Sequence, residues 1–298
     1  MNMNILLFDA NGQVGWELQR SLAVLGEVTA LGRNCRTHCG DLAQPEALAD
    51  TIRALRPDII VNAAAYTAVD KAESEPELAW QINALAPGVL AEEAARLGAW
   101  LVHYSTDYVF DGSDTRPWME TDTPAPLSVY GHTKKEGEER IGQSGCRHLI
   151  LRTSWVYAAR GDNFVKTMLR LAQEHESLTV IDDQWGAPTG AELIADVTAH
   201  ALRHLQQRPK DGGLYHLAAS GETNWNSYAK YVIAQARKAS AAIKIKATEV
   251  TSVPTSAFPT PAVRPHNSRL DTRKLQATFN LQLPAWQQGV ARVLAEIL

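Results

Sequence analysis

The sequence predicts a doubly wound α/β protein, in which helices flank a parallel sheet and a smaller C-terminal domain follows. Short apolar runs alternate with segments of helical periodicity as far as residue 207. Neighbouring parallel strands need such helical crossovers, because a tight hairpin cannot connect them. The chain has 298 residues, which exceeds the usual size of one domain and leaves material for a second unit.

The predicted elements follow from local hydrophobic patterns. The apolar run 5–8 ends in the turn sequence DANG, and helical spacing runs from 16 to 25, which predicts a strand, a tight turn and a helix. The other predicted strands are 28–31, 58–62, 99–104, 148–151 and 178–181. The other predicted helices are 45–55, 77–97, 135–142, 163–175 and 191–207.

The alternation ends after about residue 209. Segment 250–265 is rich in proline, which lacks a backbone N–H donor. Such a segment fits an irregular pocket wall or a solvated linker equally well. We therefore expect the last third of the chain to form the smaller domain.

The composition indicates a folded protein that binds small molecules. Hydrophobic residues make up 45% and charged residues 21%, and a net charge of -4 offers no basic stripe for a nucleic acid. Cys35, Cys39 and Cys146 form no CxxC pair, which argues against a disulfide framework or zinc site and for a reducing compartment. The apolar start of the chain is too short for a membrane span, so we expect a cytoplasmic protein.

A glycine turn lies where the first strand leads into the first helix. Gly12 and Gly15 flank Gln13 and Val14 there, and a dinucleotide pyrophosphate binds the free N–H groups at this position in a Rossmann sheet. An ordinary β-α turn is the alternative. The strand and helix around the glycines favour a nucleotide site.

The residues after the second strand predict a preference for NADPH over NADH. Gly32-Arg33 stands where an acidic residue would hold a ribose 2′-hydroxyl, and a guanidinium favours a 2′-phosphate. An exposed loop arginine is the alternative. Asp41, next to Leu42, could bind the adenine amino group, and the small residues at 62–65 would let a cofactor approach the backbone.

A tyrosine and a lysine lie four residues apart in LSVYGHTKKEGEER, at 127–140. One helical turn separates Tyr130 from Lys134, so the ammonium could lower the phenol pKa from about 10 toward working pH. Thr106 lies at the end of the strand 99–104, at the sheet edge where open α/β folds bind ligands. The three residues predict a general acid with its supporting groups.

These motifs resemble those of the extended short-chain dehydrogenase/reductases. Five longer stretches, VNAAAYTAVDKAESEPELAWQIN, HYSTDYVFDG, RTSWVYA, DDQWGAPTGAELIAD and TPAVRPHNSRLDT, are similar to the dTDP-4-dehydrorhamnose reductases of that group. The resemblance runs along essentially the whole chain. It implies reduction of dTDP-4-dehydro-L-rhamnose at C4 by NADPH, with NADH as the alternative donor. It also implies that Tyr130 donates the proton, Thr106 hydrogen-bonds the same oxygen and Lys134 anchors the nicotinamide ribose.

The resemblance also separates this chain from its neighbours. Sugar dehydratases follow the threonine with Asp-Glu, whereas Asp107 is followed here by Tyr108, and reductase-epimerases are expected to supply a cysteine that these motifs lack. Asp9 departs from the usual Gly-x-x-Gly-x-x-Gly loop and would set a carboxylate near the pyrophosphate. A regulatory NADP-binding subunit without turnover is the alternative function.

The resemblance completes the set of candidate residues. From the alternation of strands and helices, we expect a dinucleotide-binding domain of residues 1–182, to which helix 191–207 returns, and a substrate-binding domain formed mainly by 183–190 and 209–298. The resemblance further implies a homodimer linked by Mg²⁺. The predicted cofactor-binding residues are Gly12, Gln13, Val14, Gly32, Arg33, Asp41, Leu42, Ala64, Ala65, Thr67, Tyr104, Tyr130 and Lys134; the predicted substrate-binding residues are Thr106, Asp107, Tyr108, Trp155 and Arg264; the predicted metal ligands are Glu17, Glu192 and Glu296.

Overall fold

The computed structural model describes residues 3–239 and 244–298. The strands are β1 (Met3–Phe8), β2 (Gly26–Leu31), β3 (Ile59–Asn62), β4 (Trp100–Thr106), β5 (Arg147–Thr153), β6 (Val156–Tyr157), β7 (Ser177–Ile181), β8 (Trp185–Gly186), β9 (Thr189–Gly190), β10 (Gly213–His216), β11 (Thr223–Asn224) and β12 (Glu249–Val253). The α-helices are α1 (Gln13–Leu22), α2 (Pro45–Leu55), α3 (Val69–Ala72), α4 (Pro76–Trp80), α5 (Ala86–Leu97), α6 (Val129–Gln143), α7 (Phe164–Glu174), α8 (Ala191–Gln207), α9 (Trp225–Ala239), α10 (Arg273–Phe279) and α11 (Trp286–Ile297).

Six strands form the central sheet in the order β10-β5-β4-β3-β1-β2, and each adjacent pair is parallel. The predicted α/β class with a doubly wound parallel sheet is therefore confirmed. A π-helical turn, Gln81–Leu85, joins α4 to α5. The helix predicted over 77–97 is thus several consecutive helical segments.

The two faces of the sheet are covered by different helices. In β1, Ile5 and Leu7 belong to a buried cluster that includes side chains of α1, α8 and α10. Leu6 and Phe8 belong to a second cluster, which includes side chains of α2, α5 and α6. Alternate residues of one strand thus reach opposite faces, as the period-2 geometry of a strand requires. A sheet that is buried on both sides explains the continuous apolar runs in the sequence.

A second core lies outside the central sheet. Side chains of α7, α9 and α11 make up most of this apolar cluster, together with Val180 of β7. β7 pairs with β12 in a separate two-stranded parallel sheet, so the expectation that 178–181 continues the alternation of the main sheet is wrong. The reason is that an apolar run predicts a strand without specifying its partner.

Part of the last third of the chain returns to the central sheet. β10 pairs with β5 at the sheet edge, and Leu275 and Phe279 of α10 lie in the buried cluster beside α8. The proposed domain boundaries remain a prediction. Within residues 3–239 and 244–298, no helix combines the length and apolarity that crossing a membrane requires.

Candidate functional site

Helix α6 places Tyr130 and Lys134 beside the carboxyl end of β4. The helix begins at Val129, six residues before the predicted start, because the Ser128 hydroxyl caps it by accepting from Gly131 N–H at 3.2 Å. Tyr130 and Lys134 therefore lie in the first turns of the helix. Lys134 is only 1% exposed, although lysine is almost never fully buried without a partner.

The ammonium of Lys134 has two partners from β4. Nζ donates to the Tyr104 carbonyl at 2.6 Å and lies 3.1 Å from Nε2 of His103. Burial lowers the pKa of Lys134 from 10.5 to about 8, and the charge of Glu138 opposes this shift only in part. The lysine thus titrates within reach of neutral pH.

His103 continues this network into the sheet. Its Nδ1 lies 3.1 Å from the amide nitrogen of Asn62, whose Oδ1 accepts from Ala64 N–H at 3.2 Å. With the Asn62 amide held in this orientation, Nδ1 of His103 accepts and the ring proton lies on Nε2, toward Lys134. An N–H that faces Nζ favours the neutral amine and therefore lowers the pKa of Lys134, as burial also does.

The phenol of Tyr130 is more basic than the sequence predicted. Burial raises its pKa to about 12; a hydrogen bond with Thr106 lowers the pKa and the nearby charge of Asp107 raises it. The predicted shift toward working pH is therefore wrong in direction for this structure. The reason is that Lys134 hydrogen-bonds to Tyr104 and His103 while the phenol lies in a desolvated position.

Thr106 and Asp107 form the polar end of β4. The Thr106 hydroxyl donates to Asp107 Oδ1 at 3.2 Å and accepts from Tyr108 N–H at 3.1 Å. Asp107 is 2% exposed, and burial raises its pKa to about 7, although a hydrogen bond from Ser268 lowers the pKa in part. Within the described part of the chain, Asp107 Oδ2 has no hydrogen-bond partner. A buried acceptor without a partner is available to a ligand hydroxyl.

Arg264 lies against the same end of the sheet. Its guanidinium makes a bidentate pair with Asp70, at 3.0 and 2.7 Å, and also donates to the Thr260 hydroxyl and the Ala262 carbonyl. The ring of Tyr108 packs edge-on against Tyr130, with 5.7 Å between the centroids. The ring of Tyr108 thus lies against Tyr130. Burial raises the pKa of Tyr108, and the charge of Arg264 is close enough to lower this pKa in part, while Asp70 already pairs with the arginine.

Trp155 adjoins this group through β8. Its ring stacks on Trp225 at 3.7 Å, and its φ of 48° lies in the left-handed region, which is uncommon for a bulky residue. A Cβ on Gly186 would lie 2.7 Å from the Trp155 ring, so only glycine fits there. Trp185 precedes Gly186, and its carbonyl accepts from Ser268 N–H at 2.7 Å. Because Ser268 also acts on Asp107, this bond connects the surroundings of Trp155 with those of Asp107.

A cavity of about 150 Å³ lies at the carboxyl ends of β1, β2 and β3. Arg33 pairs with Asp41 there, with 3.4 Å between Nε and Oδ1, so the arginine does have a carboxylate neighbour that its local sequence did not reveal. Gly40, Ala64 and Ala65 line part of this cavity, and their small side chains leave the backbone there accessible to a nucleotide. Its lining residues are Asp9, Arg33, Gly40, Asp41, Leu42, Ala64, Ala65 and Ile82.

The other predicted cofactor residues lie around this cavity in different ways. Gly12 caps α1 without a side chain, and Gln13 and Val14 follow it in the first turn. Gly32 approaches Asn11 so closely that a Cβ would lie 2.7 Å from its Nδ2. Thr67 is exposed in the loop after β3. The Tyr104 hydroxyl bonds to Thr198 in the core at 2.8 Å, so the backbone carbonyl of Tyr104 is its group at the site.

The three glutamates predicted as metal ligands do not form a metal site within the described residues. Glu192 and Glu296 both face Arg292, at 3.0 and 3.6 Å, and Glu17 faces Arg20 at 3.5 Å. Over 3–239 and 244–298, no cluster of three or more His, Cys, Asp or Glu side chains could hold a metal ion. The magnesium prediction thus gains no support.

Sequence reasoning missed three residues of the site. His103, Asp70 and Ser268 contact Lys134, Arg264 and Asp107 respectively. All three lie inside the stretches that carry the family resemblance, which was the available signal. The first two contacts join residues that are 31 and 194 positions apart in the chain, and no local pattern reveals such pairs.

The comparisons with known proteins agree with this geometry. The family model described as the RmlD substrate binding domain matches residues 3–298. The chain is 58% identical to a dTDP-4-dehydrorhamnose reductase of Escherichia coli (strain K12), over 99% of this chain and 98% of that protein. A crystal structure of dTDP-4-dehydrorhamnose reductase from Bacillus anthracis in complex with NADP has a TM-score of 0.88 and 33% identity, covering 99% of this chain and 100% of that chain.

A more distant structure matches in fold alone. The UDP-glucose 4-epimerase of Thermus thermophilus, in complex with NAD, has a TM-score of 0.80 and 22% identity, covering 99% of this chain and 98% of that chain. The resemblance inferred from the motifs is confirmed by the family model and the 58% identical relative. The chain therefore belongs to the RmlD substrate-binding family, that of the dTDP-4-dehydrorhamnose reductases.

Proposed function

We propose that this protein reduces dTDP-4-dehydro-L-rhamnose to dTDP-L-rhamnose, with NADPH as the hydride donor and Tyr130 as the proton donor. One observation carries the proposal: the phenol of Tyr130 lies close to Thr106 at the ligand-binding edge of the sheet, on the helix that also carries the buried Lys134. The 58% identity to a relative named as this reductase supports the choice of substrate.

The side chains divide the work around the ketone. The chemistry that NADPH supplies when bound is a hydride for the C4 carbon. A phenol with a pKa of about 12 is fully protonated at neutral pH, so Tyr130 holds a proton ready for the developing alkoxide. Thr106 can turn its hydroxyl proton from Asp107 Oδ1 to that oxygen, and Asp107 Oδ2, which has no partner among the described residues, can accept from a sugar hydroxyl.

Lys134 and Arg264 supply positive charge to this site. Lys134 is held at the carboxyl end of β4 by Tyr104 and His103, where its Nζ can bind a ribose hydroxyl. Arg264 bonds to Asp70, Thr260 and the Ala262 carbonyl through Nη1 and Nη2, and its Nε–H can still donate to a substrate diphosphate. Trp155 offers a fixed aromatic surface to the sugar, since Trp225 stacks on it.

Arg33 and the residues around α1 support NADPH as the cofactor. The guanidinium is 69% exposed at the mouth of the cavity, where it can reach a 2′-phosphate while Asp41 orients it. The relative of known structure with NADP bound is consistent with this choice. NADH remains the alternative donor because the 2′-phosphate contact is the only discriminating contact proposed.

The proposal is tested by following NADPH absorbance with dTDP-4-dehydro-L-rhamnose. We expect Tyr130→Phe to bind NADPH normally and to lose about 10²–10⁴-fold in kcat, since it removes the proton donor alone. The matched control is Tyr231→Phe, whose hydroxyl donates to the Gln287 carbonyl on the surface. A near-normal rate in Tyr130→Phe would remove the phenol from the mechanism.

The same assay decides the alternative, a regulatory subunit that binds NADP without turnover. Such a protein would bind NADPH tightly and leave it unoxidised with the nucleotide sugar present. The arrangement of Thr106, Tyr130 and Lys134 argues against this, because a proton donor close to the Thr106 hydroxyl serves turnover and has no role in binding a cofactor alone. The Mg²⁺-linked homodimer stays a prediction, to be tested by solution mass with and without chelator.

A further inference from the structure

Asp9 occupies an unusual position in the turn between β1 and α1. Its φ of 76° lies in the left-handed region, which favours glycine, and the family loop usually has glycine there. The turn is held by two N–H groups, those of Asp9 and Ala10, which donate to the Leu31 carbonyl at 3.0 and 3.1 Å. The main chain at Asp9 is therefore held in place by the end of β2.

The Asp9 side chain lies over the N-terminus of α1. Gly12 N–H donates to Asp9 Oδ1 at 3.1 Å, and a Cβ on Gly12 would lie only 1.7 Å from Oδ2. The first N–H groups of this helix have no intrahelical partners, and in a doubly wound fold they receive the cofactor diphosphate. Asp9 thus places a negative charge where a diphosphate would bind.

The neighbours of Asp9 offer little compensation for this charge. Of the groups that line the cavity with it, Arg33 and Asp41 are charged and already pair with each other. On the side of α1, Arg160 donates to the Asn11 carbonyl at 3.1 Å and packs over the ring of Trp16. Burial consequently raises the pKa of Asp9 to about 6.

We propose that Asp9 sets cofactor affinity in this chain, because its ionised carboxylate competes with the cofactor diphosphate for the N-terminus of α1 and its protonation removes that competition. The inference rests on the proposed function, since it needs a dinucleotide at this site. If only the neutral form admitted the diphosphate, affinity would fall about tenfold per pH unit above pH 6. If the ionised form still admits the diphosphate weakly, the affinity falls less steeply as the pH rises.

The test measures dissociation constants between pH 5.5 and 8 by ligand fluorescence, with both NADH and NADPH. NADH is needed because the 2′-phosphate of NADPH titrates near pH 6 itself. Asp9→Gly removes the carboxylate and suits the backbone, while Asp9→Asn removes the charge and keeps the hydrogen bond to Gly12. Asp50→Asn, an exposed aspartate on α2, is the control.

For wild type and Asp50→Asn, we expect NADH to bind at least about threefold more weakly at pH 8 than at pH 6. For Asp9→Gly and Asp9→Asn, we expect an unchanged affinity across this range and tighter binding than wild type at pH 8. An identical pH dependence in wild type and both variants overturns the inference alone, as does an Asn variant that behaves like wild type. If no protein binds either cofactor at any pH, the proposed function fails as well.

Discussion

Replacing Lys134 by methionine should stabilise the fold relative to wild type at neutral pH. This advantage over wild type should shrink as the pH rises. The pKa of this lysine is about 8 in the folded protein, against 10.5 for an unperturbed lysine, a depression of about 2.5 units or about 3 kcal/mol. At pH 7 the amine is protonated in both states, so the folded protein carries the whole penalty. Methionine has a similar length and no charge.

A lost hydrogen bond offsets part of this gain. At pH 7 the ammonium donates to the Tyr104 carbonyl, a bond that contributes about 1 kcal/mol, whereas the Nε2–H of His103 faces it as a second donor and adds nothing. The expected net gain of Lys134→Met at pH 7 is therefore about 2 kcal/mol. Turnover should be lost because no ammonium remains to hold the nicotinamide ribose.

The pH dependence is the sharper part of this prediction. Between pH 8 and 10.5 the unfolded chain keeps a proton on Lys134 that the folded chain has released, so wild-type stability rises with pH in this window. The methionine variant lacks this contribution, and all other groups titrate alike in both proteins. Between pH 7 and 9.5 the difference in unfolding free energy should move about 2 kcal/mol in favour of wild type.

Urea unfolding at pH 7, 8 and 9.5 measures this difference. The control is Lys135→Met, which removes the neighbouring lysine; that side chain is 31% exposed and pairs with Glu139 at 2.6 Å. We expect the difference between wild type and Lys135→Met to be nearly independent of pH. A constant difference between wild type and Lys134→Met over the same range would refute the reasoning that burial lowers the lysine pKa.

Three further substitutions test separate parts of the site. Arg33→Ala should lower kcat/KM for NADPH about tenfold relative to NADH, because it removes a charged hydrogen bond to the 2′-phosphate; an unchanged ratio in steady-state kinetics would contradict the assigned role. Glu138→Ala should destabilise the fold by about 3–5 kcal/mol in urea unfolding, because Arg152, which is 3% exposed and pairs with Glu138 at 2.6 Å, would become an unpaired buried charge. A loss below about 1 kcal/mol would count against this role of the pair. Trp155→Ala should raise KM for the nucleotide sugar at least about threefold with NADPH binding unchanged, since it removes the ring that Trp225 holds in place; an equal loss of cofactor affinity would indicate general disruption.

The sequence was sufficient for the main strands and helices as far as residue 207 and for the position of Thr106 at the carboxyl edge of the sheet. β1, β3 and β4 are buried on both faces, so their apolar runs were easy to recognise and their ends placed Thr106 correctly. The partner of β7 was not predictable, because the side chains of a strand do not encode which neighbour it will pair with.

The electrostatics of the site needed the structure. The four-residue spacing put Tyr130 and Lys134 on one helix, but only the folded chain shows that the Nζ of Lys134 faces Tyr104 and His103. Likewise, the sequence around Arg33 contains no acidic neighbour, and the pair with Asp41 forms through folding of the loop. A pKa depends on burial and on such partners, which spacing alone does not specify.

The return of the chain to its central sheet has a consequence for folding. β10 and α10 come from the last third of the sequence, yet they complete the edge and one face of the N-terminal sheet. A fragment that stops near residue 209 would leave β5 as a bare edge strand, open to pairing with another molecule. Such a fragment should therefore not remain soluble, and thermal unfolding of the intact chain should proceed as one cooperative transition.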